Sequence, residues 1–201
     1  MATSDIGICN VSLGLIGAIP ITSFSENNIR ARACKIAYDS QTELLLSEHD
    51  WTFARRFAKI NLVSHDPSTM PLLYDGYQLP VNCATPRDID PPGSRNEWEI
   101  AGTLLMAPSS IYASVTTLGL YYTASDAPVG DFSGPFTELL TLAIASKIAY
   151  PITQDRVLAS ELRNEYRGYR MESWEMSANI GKTYKSHDER YENDTFVEPT
   201  L

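Results

Sequence analysis

"SEHDWTFARR", residues 47–56, is where the chain changes its pattern. Upstream, apolar residues recur at helical spacing over a long stretch. Downstream come short alternating segments broken by turns. The junction admits two readings. A His49-Asp50 pair beside Trp51 and Arg55 could begin a catalytic cluster, but triad partners must converge in space and a dipeptide does not show that. Alternatively, Trp51 and Phe53 pin the end of a helix against a sheet, as large aromatics at such junctions do. Arg55 and Arg56 would then serve the negative end of that helix. The second reading is adopted, with no catalytic role for His49, so the chain reads as helix first and sheet after.

Upstream, Ser4 or Asp5 is placed to cap a first helix, with Ile6, Cys9, Leu13 and Ile16 on one face. Gly17 is the expected stop and Pro20 forbids continuation. Gly7 and Gly14 weaken this helix, which suggests close approach of another backbone. Ser25 is the expected cap of the long second helix, with Phe24 and Ile29 as a hydrophobic staple. Ile29, Ala33, Ile36, Ser40 and Leu44 are its predicted buried stripe.

Downstream, "FAKINLV", "YDGYQLP" and "VTTLGLYY" read as strands, and "EWEIAGTLLMA" as a hairpin about Ala101-Gly102. Leu118, Leu120 and Tyr122 share one face. Prolines between residues 67 and 108 limit strand length. Helical spacing returns at "PFTELLTLAIASKIAY", with Ser133 as cap, Phe136, Leu139, Leu140, Ala143 and Ile144 inward, and Pro151 as terminator. Thr153 is the expected cap of a fourth helix whose buried stripe is Leu158, Leu162, Tyr166 and Tyr169. The reading is an α+β protein: an antiparallel helical-bundle core (1–50 and 131–178) interrupted by an antiparallel β insertion (51–130), with an extended C-terminal tail (179–201) docking on a partner.

Composition narrows the function. Of 201 residues, 43% are hydrophobic and 20% charged, which supports a globular fold. The net charge of −9 disfavours tight nucleic-acid binding, which needs Lys and Arg against phosphates. No signal peptide or membrane anchor is expected. Cys9, Cys34 and Cys83 suit neither a disulfide framework nor a zinc site and read as small buried thiols. No phosphate loop, HExxH, GxSxG or CxxC occurs, so no catalytic, cofactor or metal residues are assigned.

One cluster stands out. Arg156, Arg163, Arg167 and Arg170 are spaced by seven, four and three residues and share a helix face. Like charges at such spacing repel, so a counter-charge is expected: either the face is solvated with Glu161 and Glu165 nearby, or it is a seam facing an acidic surface on a neighbouring subunit. The terminal segment carries Tyr184, Tyr191, Phe196, Val197 and Leu201, too scattered to bury themselves and better suited as anchors on another chain.

The order of motifs resembles the head-to-tail adaptor (connector) proteins of short-tailed phages, of the tail tubular protein A type. The similar segments are "ICNVSLGLIGA", "ITSFSE", "CKIAYDSQTELLL", "WTFARR", "YQLPVNC", "EWEIAGTLL", "LYYTASDAP" and "PFTELLTLAIASKIAY", covering most of residues 4–170. Asn82 departs from the Asp expected in the Leu-Pro-x-Asp-Cys segment, and "RMESWEMSANIG" does not match. The resemblance implies a virion tail protein made in the host cytoplasm. It would form a ring of twelve copies between portal protein and tail nozzle protein, with DNA passing through the lumen without specific binding. A hydrolase acting on cell-envelope polysaccharide is the alternative; it would require acidic residues converging in a cleft.

Overall fold

A computed structural model describes residues 4–63, 74–90, 98–109 and 116–192, with residues 180–192 as backbone alone. The chain is α+β and divides into two compact units, Met1–Thr42 with Pro128–Leu201, and Glu43–Ala127. The division falls inside the second helix.

The first unit is helical. Helix α1 is Asp5–Leu15, capped by Ser4, whose Oγ accepts from the Gly7 amide at 3.0 Å. Gly17 adopts φ +67° just past its end, as expected for a helix stop. Asn10 fixes the chain that follows: its Nδ2 donates to the Ile21 carbonyl at 2.9 Å and its Oδ1 accepts from the Ile21 amide at 2.8 Å. The close backbone approach expected at the helix glycines is not found. A Cβ on Gly14 would meet nothing within 4 Å, and one on Gly7 would meet only the capping Ser4 Oγ.

Helix α2 is Ile29–Glu48. Its cap is Asn28 rather than Ser25: Asn28 Oδ1 accepts from the Ala31 amide at 2.8 Å. Ser25 lies too early because Glu26 closes a local turn on Thr22 and Ser23. Phe24 therefore meets Tyr38, ring centroids 6.3 Å apart, and Ile29 is exposed, so the predicted staple does not form. The buried face is Ala31, Cys34, Ala37 and Gln41, continuing to Leu45; Ile29, Ile36 and Leu44 of the predicted stripe are exposed. The helix is turned by about a third of a turn from the sequence reading. Over its first half the small residues Ala31, Cys34 and Ala37 face inward, where they permit close packing, and the large buried residues Leu45 and Leu46 come only at its end.

Helix α3, Gly134–Thr153, begins at Ser133 and buries Phe136, Leu139, Leu140, Ala143 and Ile144 as expected, together with Leu142, Ala145, Ile148 and Ala149. Burial nearly all round marks it as the central element. Against α1, Ser12 Oγ donates to the Ile8 carbonyl at 3.1 Å and is also 3.0 Å from the Thr141 carbonyl. Pro151 lies inside α3 rather than ending it; the stop is Gln154 at φ 57°. Proline fixes a φ compatible with helix and removes one donor, which a last turn tolerates.

Helix α4, Arg156–Glu192, is 37 residues long. Asp155, not Thr153, caps it: Oδ1 accepts from the Val157 and Leu158 amides at 2.8 and 3.1 Å. Thr153 Oγ1 instead accepts from the Asp155 amide. The helical backbone runs past residue 179, where the sequence reading starts the tail, on to Glu192. Loss of apolar periodicity removes burial, not helix propensity, and this segment is rich in Lys, Glu and Arg. Residues 193–201 lie outside the described residues.

Among the described residues the second unit holds two three-stranded antiparallel sheets. Strands β1 (Arg55–Asn61), β2 (Tyr74–Gln78), β3 (Cys83–Asp90), β4 (Glu99–Ala101), β5 (Leu104–Pro108) and β6 (Thr117–Ala124) are ordered β1-β6-β3 and β2-β5-β4. Ala101 pairs with Leu104 across the predicted hairpin, whose Gly102 takes φ +62°. Leu118, Leu120 and Tyr122 face one shared core with Ile60, Tyr77, Ile89 and Leu105.

Candidate assembly surface

The junction read first from the sequence is a structural lock within the second unit. Trp51 is fully buried, and its indole N–H donates to the Leu45 carbonyl at 2.7 Å, tying it to the last turn of α2. The His49 ring stands edge-on to it, centroids 4.8 Å apart, and burial lowers the His49 pKa. Arg55 and Arg56 do not serve the helix end as expected. Arg55 pairs with Asp50 at 2.7 Å, and Arg56 donates to the Phe53 and Arg55 carbonyls.

That role belongs to Arg87, which sequence reasoning missed. Arg87 Nη2 donates to the Ser47 and His49 carbonyls at 3.2 and 2.8 Å, while Nε donates to Thr123 Oγ1 at 2.8 Å. The pairing of β3 with β6 slips between Pro86 and Asp88, so Arg87 is the extra residue of a bulge. A bulge re-aims a side chain out of strand alternation. The proline in "TPRDID" was the available signal, since proline in a strand marks an edge or bulge.

Asn82, the departure from the resemblance, also has a local reason. Its Nδ2 donates to both carboxylate oxygens of Asp126, at 3.1 and 3.0 Å, and its Oδ1 accepts from the Tyr122 hydroxyl at 3.2 Å. An aspartate there would place two carboxylates together. The buried thiols are likewise structural: Cys9 Sγ approaches the Cys34 carbonyl at 3.9 Å, and the hydrogen bond between the two cysteines, with burial, pushes the Cys9 thiol far up. Among the described residues no group of three or more His, Cys, Asp or Glu is placed to hold a metal. No described helix is long and apolar enough to cross a membrane.

In the helical unit the exposed chemistry concentrates on α4. Its inward stripe is Leu158, Ala159, Leu162, Tyr166, Tyr169, Ser173 and Ser177, which contains all four residues read from the sequence; burial raises the Tyr169 pKa, helped by Glu138 and Glu172. Beside that stripe runs the arginine flank. Arg156, Arg163 and Arg167 are exposed and Arg170 is half-buried. Arg156 lies over the Tyr150 ring at 5.8 Å and Arg170 over Trp174 at 4.7 Å. The ion pairs found among the described residues, Lys35–Asp39 and Arg55–Asp50, leave Arg163 and Arg167 without a carboxylate. Tyr184 and Tyr191 fall on the helical backbone of α4, while Phe196, Val197 and Leu201 lie outside the described residues.

A second surface lies between α2 and α3. An open groove of about 400 Å³ is lined by Ala33, Ile36, Ala37, Ser40, Gln41, Lys147, Ile148 and Pro151. Ile36, turned outward by the orientation of α2, is 66% exposed along it. No protein-family model matches this chain, and no curated protein matches it either.

Proposed function

We propose that this protein is a structural virion protein without catalytic activity, a ring-forming adaptor between the portal and the tail nozzle that extends the DNA conduit. The order of its motifs, similar to head-to-tail adaptors of short-tailed phages, gives the class. The observation that carries it is the exposed arginine flank of α4, where Arg163 and Arg167 have no carboxylate partner within the described chain. Arg163 and Arg167 repel one another across a helix turn, and a subunit contact that supplies carboxylates relieves them.

In this reading twelve copies close a ring, as the resemblance implies. The conduit passes DNA without holding it, because a chain of net charge −9 repeated around a ring opposes phosphate binding. The C-terminal segment, with Tyr184, Tyr191, Phe196, Val197 and Leu201, is the portal anchor. The protein is made in the host cytoplasm and resides in the virion tail, where it serves assembly and DNA ejection.

The test is attachment of the purified chain to portal-bearing, tail-less heads, imaged by electron microscopy. The full chain should form a collar below the portal, and deletion of residues 193–201 should abolish attachment while the helical circular dichroism persists. A full chain that neither oligomerises nor attaches overturns the reading.

A further inference from the structure

The arginines are not the only charges sorted on α4. Glu161 and Glu165 each lie two residues before an arginine, Arg163 and Arg167. Two residues turn a helix by about 200°, so the glutamates fall on nearly the opposite flank. Glu172, seven residues beyond Glu165, shares that side. All five side chains are exposed. The apolar stripe lies between the two flanks on the inward side, leaving both edges of the helix free to meet neighbours.

This arrangement costs the isolated helix. At the i,i+4 spacing where opposite charges would help, like meets like: Glu161 with Glu165, and Arg163 with Arg167. Among the described residues none of Glu161, Glu165, Arg163 and Arg167 belongs to an ion pair. Segregation of this kind is unfavourable in a monomer and favourable where another helix supplies the opposite sign, as flanking charges do in coiled coils.

We propose that the partner of the arginine flank is the glutamate flank of α4 in a second copy of this chain. The proposal rests on the ring reading and specifies its contact. Two different surfaces on one helix make a heterologous interface, which closes into a ring when the rotation permits. The register agrees. Subunits of a ring are related by rotation, so helices set along its axis present equal residue numbers at equal height. Two residues rise about 3 Å, which puts Arg163 of one copy midway between the heights of Glu161 and Glu165 of the next. Arg167 sits one step above Glu165 and below Glu172. Each arginine then has a carboxylate on either side, and each subunit uses both of its flanks.

The experiment compares four full-length chains by native mass spectrometry and sedimentation at physiological salt: wild type, Arg163→Glu/Arg167→Glu, Glu161→Arg/Glu165→Arg, and the chain carrying all four changes. Wild type should assemble. Each double variant should need more than tenfold higher concentration to do so, with an unchanged helical signal. Mixed one to one, the two double variants should recover the oligomer with alternating copies, since one now carries glutamate and the other arginine at the central pair of both flanks. The fourfold chain, with its flanks exchanged, should assemble alone. If the folded double variants stay apart when mixed, or either assembles alone like wild type, the contact is wrong while the ring reading stands. A wild-type chain that stays monomeric at all concentrations overturns both.

Discussion

Arg87 donates to the carbonyl of His49 at 2.8 Å, closing the end of α2 with a side chain from a bulge in β3, forty residues from its second acceptor, Ser47. A helix leaves its last carbonyls without intrahelical donors. Here one guanidinium answers two carbonyls at the end of α2 and holds the Thr123 hydroxyl with its remaining edge. The arrangement makes the junction a lock rather than a loose connection.

Replacing Arg87 with Met should therefore destabilise the protein by about 2–3 kcal/mol, the range for hydrogen bonds to a charged group whose acceptors are left unpaired. Arg87→Lys should recover only part, because one ammonium cannot reproduce the planar fork. The urea midpoint of each variant measures this.

Trp51→Ala should cost about 3–5 kcal/mol, as removal of a fully buried large aromatic does. Trp51→Phe separates packing from polarity: it keeps most of the buried area and loses the bond to Leu45, for an expected loss of about 1–2 kcal/mol. Equal midpoints for both variants and wild type would remove Trp51 from the lock.

Gly119 lies beneath the ring of Phe57, and a Cβ there would stand 2.8 Å from Phe57 Cε2. Phe57 also meets Tyr121 at 4.9 Å between centroids, so its ring is held on the outer face of the sheet. Gly119→Ala should cost about 1–2 kcal/mol in wild type. In a Phe57→Ala background part of that loss should vanish, because the ring is gone while the new Cβ still stands 3.1 Å from Asp90 Cβ. A double-mutant cycle reads the coupling.

Glu26 is held down to about 2, first by the hydrogen bond from the Thr22 amide, then by the Thr22 hydroxyl. A carboxyl whose folded pKa is depressed contributes stability that is full above its unfolded pKa and is lost as pH falls through the folded value. The turn before α2 should thus hold at neutral pH and loosen between about pH 4.5 and 2. An NMR titration of the Glu26 carboxyl should show a midpoint near 2, and Glu26→Gln should remove the Thr22 and Ser23 amide shifts across that window.

Asn82→Asp should destabilise the protein by about 1 kcal/mol at neutral pH, since a donor to Asp126 becomes a second carboxylate. Crowding raises the folded pKa of the new pair, so the loss is present above that value and disappears below the ordinary aspartate pKa of about 3.9. Asp126→Asn in the same chain should restore the midpoint at neutral pH.

The sequence by itself determined the fold class, the helix-to-sheet change at residues 47–56, the Ala101-Gly102 hairpin and the inward faces of β6, α3 and α4. Each is a local pattern with one apolar solution: Leu118, Leu120 and Tyr122 alternate, and Leu158, Leu162, Tyr166 and Tyr169 recur on a single face. Both charged flanks of α4 follow from spacing alone, and the arginine flank was legible. The glutamate flank is the harder to see, because glutamates close in sequence to arginines suit a solvated face equally well. Tertiary structure decided the rest. Helix α2 carries apolar residues on two faces, so periodicity could not choose between Ile29, Ile36 and Leu44 and the smaller Ala31, Cys34 and Ala37; close packing chose the smaller set. Caps moved by two or three residues, to Asn28 and Asp155, because those side chains reach the first free amides of each helix, while Thr153 is taken up by the Asp155 amide and Ser25 lies in a turn closed by Glu26. Arg87 became visible only when a bulge turned it onto a helix end forty residues away in the chain. No local pattern encodes that meeting, because it depends on which strand the β region brings beside α2.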